Sequence, residues 1–127
     1  MGNGTSIGKV RGHGSAHSGA HHWLLQRYTA VGNLVLVLWL VFSLLMLPNL
    51  SHSSVITWLA RPVPATAMAL LVITSIWHAR LGLQVLIEDY LHDSANKVAA
   101  IVAINLAAFA AAAFGVFCVV RIALGAA

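Results

Sequence analysis

The chain has 127 residues, of which 60% are hydrophobic and only 8% are charged, and its mean hydropathy is +0.87. Soluble domains are about 45–50% apolar and about 25% charged, so this composition excludes a soluble enzyme, a nucleic-acid-binding module and a disordered tail. The net charge of +4 comes from seven Lys and Arg residues that are spread along the chain and form no nucleic-acid-binding patch. A single cysteine, Cys118, excludes an internal disulfide and any multi-cysteine zinc or iron–sulfur site.

Three long segments of the chain are almost entirely apolar: 28–47, 63–87 and 98–120. The first and third contain no charged residue, whereas the middle segment carries His78, Arg80 and Gln84. About 20 apolar residues in a helix cross a hydrocarbon core of about 30 Å, and in lipid the backbone must satisfy its own hydrogen bonds. The sequence therefore predicts an all-α membrane protein, with an N-terminal segment over 1–27 and an anchor domain of three transmembrane helices over 28–127.

The basic residues outside these segments predict an orientation. Because three spans place successive connectors on alternating sides of the membrane, Arg61 and Arg121 lie on one side. Four basic residues lie on the other side: Lys9, Arg11, Arg27 and Lys97. Inner ends of membrane helices are enriched in Lys and Arg. We therefore expect the N-terminus on the inner side of the membrane, and the connector 48–62 and the C-terminus on the outer side.

Aromatic and small residues in the spans predict how the helices are held. Trp23 and Trp58 lie near span ends, where indole rings anchor among lipid headgroups. Ala107, Ala111 and Gly115 recur at four-residue spacing in the third span, which suits close packing of membrane helices. An alanine-rich helix also shows this spacing by chance, so both interpretations of the stripe stay open.

The first 22 residues contain six glycines and show no periodicity. This composition is typical of a tail that is flexible or is ordered by a partner. The alternative is a metal-binding tract, because four histidines fall within it: His13, His17, His21 and His22.

His78 lies about midway along the most polar of the three spans. An ionisable residue at that depth costs free energy and indicates a function. Three interpretations compete. The imidazole either hydrogen-bonds a neighbouring helix, belongs to a proton or ion path, or ligates a metal, most naturally a haem iron held between helices.

The residues that follow His78 favour the metal. At about 100° per residue, Gly82, Val85 and Asp89 return to within about 40° of His78 and form one stripe with it. Gly82 leaves a gap beside the imidazole, which a flat macrocycle against a helix requires. Asp89 and Tyr90 fall about 17–18 Å from His78 along the helix, near the membrane edge. There they either contact an interfacial ligand or form an ordinary polar helix end, with the tyrosine in the aromatic belt.

Two arginines have different expected roles. Arg27 immediately precedes the first span, where it is either a positive-inside residue or a bidentate partner of a haem propionate. Arg80 points about 200° away from His78 and lies too deep to reach the interface easily. We expect it to face a protein partner or a buried acid.

Three blocks of the sequence together resemble the smaller, D-type membrane anchor subunit of succinate dehydrogenase. They are Gly14-Ser-Ala, Ala20-His-His-Trp-Leu-Leu-Gln-Arg-Tyr-Thr-Ala, and His78-Ala-Arg-Leu-Gly-Leu-Gln-Val-Leu-Ile-Glu-Asp-Tyr. The histidine followed 11 and 12 residues later by Asp-Tyr is the specific part, whereas Arg-x-Thr-Ala is only supportive. The resemblance extends over nearly the whole chain.

The resemblance implies a non-catalytic subunit of the four-subunit respiratory complex II, carrying part of its quinone site. In such complexes a flavoprotein subunit oxidises succinate and an iron–sulfur subunit relays the electrons. A second, C-type anchor forms a heterodimeric helix bundle with the D-type anchor, and the two hold haem b and ubiquinone.

The resemblance also implies roles for single residues. His78 matches the axial haem b iron ligand, with the second ligand supplied by the partner anchor. Tyr90 matches the tyrosine that donates a hydrogen bond to a ubiquinone carbonyl oxygen, and Asp89 matches its acidic neighbour. Arg27 matches the arginine near the haem propionates.

His21, six residues before Arg27, is expected to join it at the propionates, with His22 an equally available choice. The location implied is a bacterial inner membrane with a cytoplasmic N-terminus, and a mitochondrial inner membrane is the less favoured alternative.

Other functions stay open at this point. The chain is alternatively the anchor of a quinol:fumarate reductase, because the His-x10-Asp-Tyr block does not fix the direction of the reaction. A small transporter or channel subunit predicts several charges lining one path, but only His78 and Arg80 qualify and they face different sides. An assembly factor without a redox centre is the third alternative, which an optical spectrum distinguishes.

Overall fold

The computed structural model describes residues 19–125, which form four helices in chain order: α1 (Gly19–Leu45), α2 (His52–Leu59), α3 (Pro62–Tyr90) and α4 (Ser94–Ala123). By length and composition α1, α3 and α4 can each cross a membrane, which confirms the prediction of three transmembrane helices. Each is longer than its apolar segment, and α1 begins nine residues before position 28. Part of the N-terminal segment that entered the predictions lies outside the described range: Lys9, Arg11, His13, His17 and the Gly14-Ser-Ala block.

Local side chains explain where the helices begin. The Ser51 hydroxyl accepts a hydrogen bond from the Ser54 backbone N–H and caps α2. Pro62 opens α3, where the missing N–H of proline leaves no intrahelical bond unmade. The Asp93 carboxylate caps α4 by accepting from the Asn96 N–H at 2.9 Å. The short helix α2 lies inside the connector 48–62 and was not predicted.

The three long helices are arranged around α3. It packs against α1 on one side and α4 on the other, and α2 packs on one end of the α3–α4 pair. Most large apolar side chains between residues 19 and 125 stay exposed in the isolated chain; Phe109 and Phe114, for example, are 76% and 70% exposed. In water such a surface would aggregate. The surface therefore fits lipid and further membrane helices.

Trp58 is buried in the protein interior. Its ring is only 9% exposed and lies in a buried cluster with Leu59 and Val119. It stacks on Trp39, with ring centroids 5.8 Å apart. The expectation of a headgroup anchor is wrong at this position, because α2 folds back against α3 and α4 and carries the indole inward.

The small-residue stripe on α4 packs in a different register from the one proposed. A Cβ atom added at Gly115 would lie 2.6 Å from Val72 Cγ1, so only glycine allows α3 to approach this closely. Ala107 and Ala111, however, are exposed. The half-buried residues of this face are Ala108 and Ala112. The packed face therefore follows positions 108, 112 and 115, one four-residue step and one three-residue step, and meets the predicted stripe only at Gly115.

Candidate functional site

His78 is half-buried on α3 and is tied to α1 by one hydrogen bond. Its Nδ1 lies 3.0 Å from the hydroxyl oxygen of Thr29. The same hydroxyl lies 2.9 Å from the carbonyl oxygen of Leu25 and 3.1 Å from that of Gln26, both on its own helix. Within the described residues the other ring nitrogen, Nε2, makes no hydrogen bond. The imidazole is thus held at one nitrogen and free at the other.

A second polar contact joins the same two helices one turn away. The Ser75 hydroxyl donates to the side-chain oxygen of Asn33 at 3.3 Å. Asn33 lies four residues after Thr29, and Ser75 three residues before His78, so both pairs lie along one antiparallel seam. Interhelical bonds of this kind hold membrane helices together where burial of apolar surface gives no net advantage over lipid.

Open space lies beside Gly82, one turn along α3 from His78. A Cβ atom added there would meet nothing within 4 Å. The gap expected from the sequence is present, and it distinguishes Gly82 from the tightly packed Gly115. Leu81, next to it in the chain, is 1% exposed and fixes this part of α3 against the bundle.

The residues expected at the haem propionates lie near the start of α1. The guanidinium of Arg27 lies over the Trp23 ring, 5.3 Å from its centroid, and Arg27 is exposed. His21 is also exposed. His22, seven residues before Thr29 and therefore on the same face of α1, is half-buried, and its Nε2 is a buried nitrogen without a hydrogen-bond partner. Arg27 and His21 lie on the N-terminal part of α1, and neither side chain contacts His78 in the described part of the chain.

Asp89 and Tyr90 end α3 and are both exposed, Tyr90 by 78%. At about 1.5 Å per residue they lie about 17–18 Å from His78 along the helix. The neighbouring Glu88 accepts from the Gln84 amide at 2.8 Å, and its carbonyl oxygen accepts from the Lys97 ammonium at 3.1 Å. These bonds fix the end of α3 and leave its terminal phenol and carboxylate turned to the surroundings.

Arg80 has its partners within this chain, on the opposite side of α3 from His78. Its Nε donates to the side-chain oxygen of Asn105 at 2.6 Å, and its guanidinium carbon lies 5.4 Å from the centre of the Trp77 ring. The two helices are antiparallel, with Arg80 ten residues before the end of α3 and Asn105 eleven after the start of α4. The three side chains line an apolar groove of about 470 Å³ between α3 and α4.

Sequence reasoning missed Thr29 and did not pair Arg80. Thr29 carries no charge, and 49 positions separate it from His78, so no local pattern joins them. Asn105 gave a usable signal: it is the only strongly polar residue of its span, at a depth that matches Arg80. Of the two expectations for Arg80, a protein partner or a buried acid, the contacts seen are with neither: they are an amide and an aromatic face of this chain.

Comparison with known proteins identifies the family of the chain. Residues 1–113 match the family model described as succinate dehydrogenase/fumarate reductase transmembrane subunit. The chain belongs to that family. A succinate dehydrogenase hydrophobic membrane anchor subunit from Rickettsia bellii is 44% identical over 101 residues, which cover 79% of this chain and 80% of the relative.

Two further relatives carry the same name. The protein from Rickettsia conorii is 36% identical over 115 residues, covering 85% of this chain and 91% of the relative. The one from Paracoccus denitrificans is 33% identical over 118 residues, covering 92% and 90%. No solved structure matches the chain. The resemblance drawn from the His78 and Arg27 blocks is confirmed at the level of the family, and the chain is a membrane protein of that family.

Proposed function

We propose that this chain is the membrane-anchor subunit of a succinate:ubiquinone oxidoreductase, that it supplies one axial ligand of a haem b, and that it forms part of the quinone-reduction site. The observation that carries the proposal is His78 near the middle of α3, with Nδ1 held by Thr29, with Nε2 unbonded among the described residues, and with open space at Gly82. The relatives' names favour this direction of the reaction over a quinol:fumarate reductase, which the family description also covers.

The donor set of this chain fits a haem. A neutral imidazole with one nitrogen hydrogen-bonded and the other free is the usual form of a metal-ligating histidine. When bound, haem b supplies a one-electron carrier in the membrane. The second axial ligand comes from the other, C-type anchor subunit, and the pair of anchors binds the iron–sulfur and flavoprotein subunits at the inner face.

Cationic and polar groups near the start of α1 fit the propionates. Arg27 and His21 are the proposed contacts, since a guanidinium binds a carboxylate through two parallel hydrogen bonds. His22 is the alternative to His21, supported by its buried, unpartnered Nε2 on the face of α1 that carries Thr29.

Tyr90 and Asp89 are the proposed quinone contacts of this chain. The phenol donates to a quinone carbonyl oxygen, and this bond strengthens as negative charge develops on that oxygen during reduction. Asp89 either returns a proton or holds the tyrosine and a water in place. Their exposure at the end of α3 supports contact with a ligand and with partner subunits.

The orientation proposed places this end of α3 inside. The N-terminus and the α3–α4 connector face the cytoplasm of a bacterium, and α2 faces outward, following the excess of basic residues on the inner side. Cysteine labelling in intact cells, in a Cys118→Ser background, tests it. A cysteine at Asn49 should react and one at Ser94 should be protected. The reverse pattern would show that Tyr90 cannot meet an inner-face iron–sulfur subunit.

The haem assignment is tested by His78→Ala in the assembled complex. The variant should lose or loosen a low-spin haem b, measured by the dithionite-reduced minus oxidised spectrum per flavin. His52→Ala and His92→Ala, both exposed, are matched controls and should keep the wild-type spectrum. An unchanged spectrum in the His78 variant would falsify the ligand assignment.

A further inference from the structure

The hydroxyl of Thr29 has a restricted choice of hydrogen bonds. A threonine hydroxyl carries one proton and accepts through two lone pairs. Two neighbours of Thr29 Oγ1, the carbonyl oxygens of Leu25 and Gln26, only accept. The shorter contact, 2.9 Å to Leu25, is the bond that a helical threonine makes to the carbonyl four residues earlier. Its single proton is therefore engaged within α1.

It follows that Thr29 accepts from His78. With its own proton donated to α1, the oxygen presents a lone pair to Nδ1 at 3.0 Å. The proton on the neutral imidazole then resides on Nδ1, and Nε2 keeps its lone pair. The opposite arrangement, with Thr29 donating to Nδ1, would leave two carbonyls without this hydroxyl and would put the proton on Nε2, where no metal could bind.

We propose that Thr29 is a positioning residue for the haem: its hydroxyl selects the Nδ1–H form of His78, fixes the ring plane, and so directs the Nε2 lone pair to the iron. The inference rests on the proposed haem function. It adds to that function a relay from Nδ1–H through the hydroxyl to the Leu25 carbonyl, in which each hydrogen bond polarises the next. The relay makes the imidazole a stronger donor to the metal.

The role of Thr29 can be separated from helix packing, because α1 and α3 have a second contact. The Ser75–Asn33 bond joins the same helices one turn away without touching the imidazole. Ser75→Ala removes an interhelical bond of the same type and leaves His78 untouched. Thr29→Val keeps the branched shape and removes only the hydroxyl, and Thr29→Ser keeps the hydroxyl.

The experiment compares these variants in the purified four-subunit complex. Outer-shell partners of metal-bound histidines contribute about 10–100-fold to affinity. Thr29→Val should therefore transfer haem to apomyoglobin about 10-fold or more faster, and should shift the highest g value of the oxidised haem in electron paramagnetic resonance. Thr29→Ser and Ser75→Ala should stay near wild type in both measurements. Thr29→Ala gives the same test should the valine variant fail to assemble.

Three outcomes would overturn the proposal: wild-type behaviour of Thr29→Val, equal defects in Thr29→Ser and Thr29→Val, or the same defect in Ser75→Ala. The first denies the relay, the second shows that keeping the hydroxyl does not preserve the site, and the third assigns the effect to packing of α1. None of them is confused with failure of the haem assignment, which is decided by His78→Ala alone.

Discussion

The two faces of α3 carry polar residues only two positions apart, and they differ in how these residues are satisfied. On one face, Arg80 donates to Asn105 and lies over Trp77, so this chain provides its contacts. On the other face, the hydrogen bond of His78 within residues 19–125 is made through Nδ1. A polar side chain in a membrane helix must find partners. The comparison indicates that Arg80 is satisfied within the bundle, whereas His78 keeps one ring nitrogen for the ligand proposed above.

Two glycines follow the same division. Gly115 faces the α3–α4 contact, where an added Cβ would lie 2.6 Å from Val72. Gly82 lies on the His78 side, where an added Cβ would meet nothing within 4 Å. One glycine allows close packing within the chain, and the other leaves room for something outside it.

The same substitution at both glycines gives the largest expected effects. Gly115→Leu should abolish assembly, since the backbone of α4 would have to move away from Val72. Forcing extra methylenes into packed space costs about 1–3 kcal/mol or more. The amount of complex in detergent-solubilised membranes measures this. Normal assembly of Gly115→Leu would show that α3 and α4 do not depend on this contact.

Gly82→Leu should leave the fold intact and reduce haem content. The side chain has room within this chain but occupies the space beside His78. Assembly, measured by the flavin content of the purified complex, should stay near wild type, while the reduced-minus-oxidised spectrum should lose most of its amplitude. Full haem in this variant would show that the gap at Gly82 is unrelated to the ligand.

Tyr90→Phe should lower quinone reduction by about an order of magnitude or more, because loss of one donor at a developing oxyanion costs roughly 2.7–4 kcal/mol in favourable cases. Succinate oxidation with an artificial acceptor and haem content should stay near wild type. Glu88→Gln, two residues before Tyr90, serves as the control for the helix end. Normal quinone turnover in Tyr90→Phe would reduce the tyrosine to a membrane anchor.

The smallest effect is expected on the Arg80 side. Asn105→Leu leaves the half-buried guanidinium without this acceptor and should destabilise the complex by about 1 kcal/mol, the lower end of the cost of an unsatisfied donor. Arg80→Leu combined with Asn105→Leu should recover part of this loss. Thermal inactivation measures the stability, and the haem spectrum should be unchanged in both variants. A changed haem spectrum would show that the contacts of Arg80 influence the His78 face of α3.

The parts of the fold that the sequence predicts are those governed by the lipid. Uninterrupted apolar length defines the three membrane helices, and His78 and Arg80 stand out because charge is rare at their depth. The face that each helix presents to its neighbours is not encoded as clearly, since a helix that is apolar all round has no amphipathic stripe. For this reason the packed face of α4 runs through Ala108 and Ala112, one position away from the predicted stripe.

The candidate site likewise has a part that the sequence predicts and a part that it does not. His78, Asp89 and Tyr90 fall on one helix, so their spacing is readable from the chain. Thr29 joins His78 from another helix, and threonine is common enough in membrane spans to give no signal by itself. Trp58 was misjudged because a short helix in a connector can turn inward, which its position near a span end does not reveal.

The hydrogen bond of Thr29 to its own helix also bears on biogenesis. During synthesis α1 enters the membrane before α3 exists, so the Thr29 hydroxyl is first surrounded by lipid without its partner on α3. The Thr29 hydroxyl donates to the Leu25 carbonyl within α1, so no unbonded donor is exposed during that interval. Insertion of the first helix is thereby independent of His78. When α3 later leaves the translocon, its imidazole contacts a Thr29 hydroxyl that is already oriented.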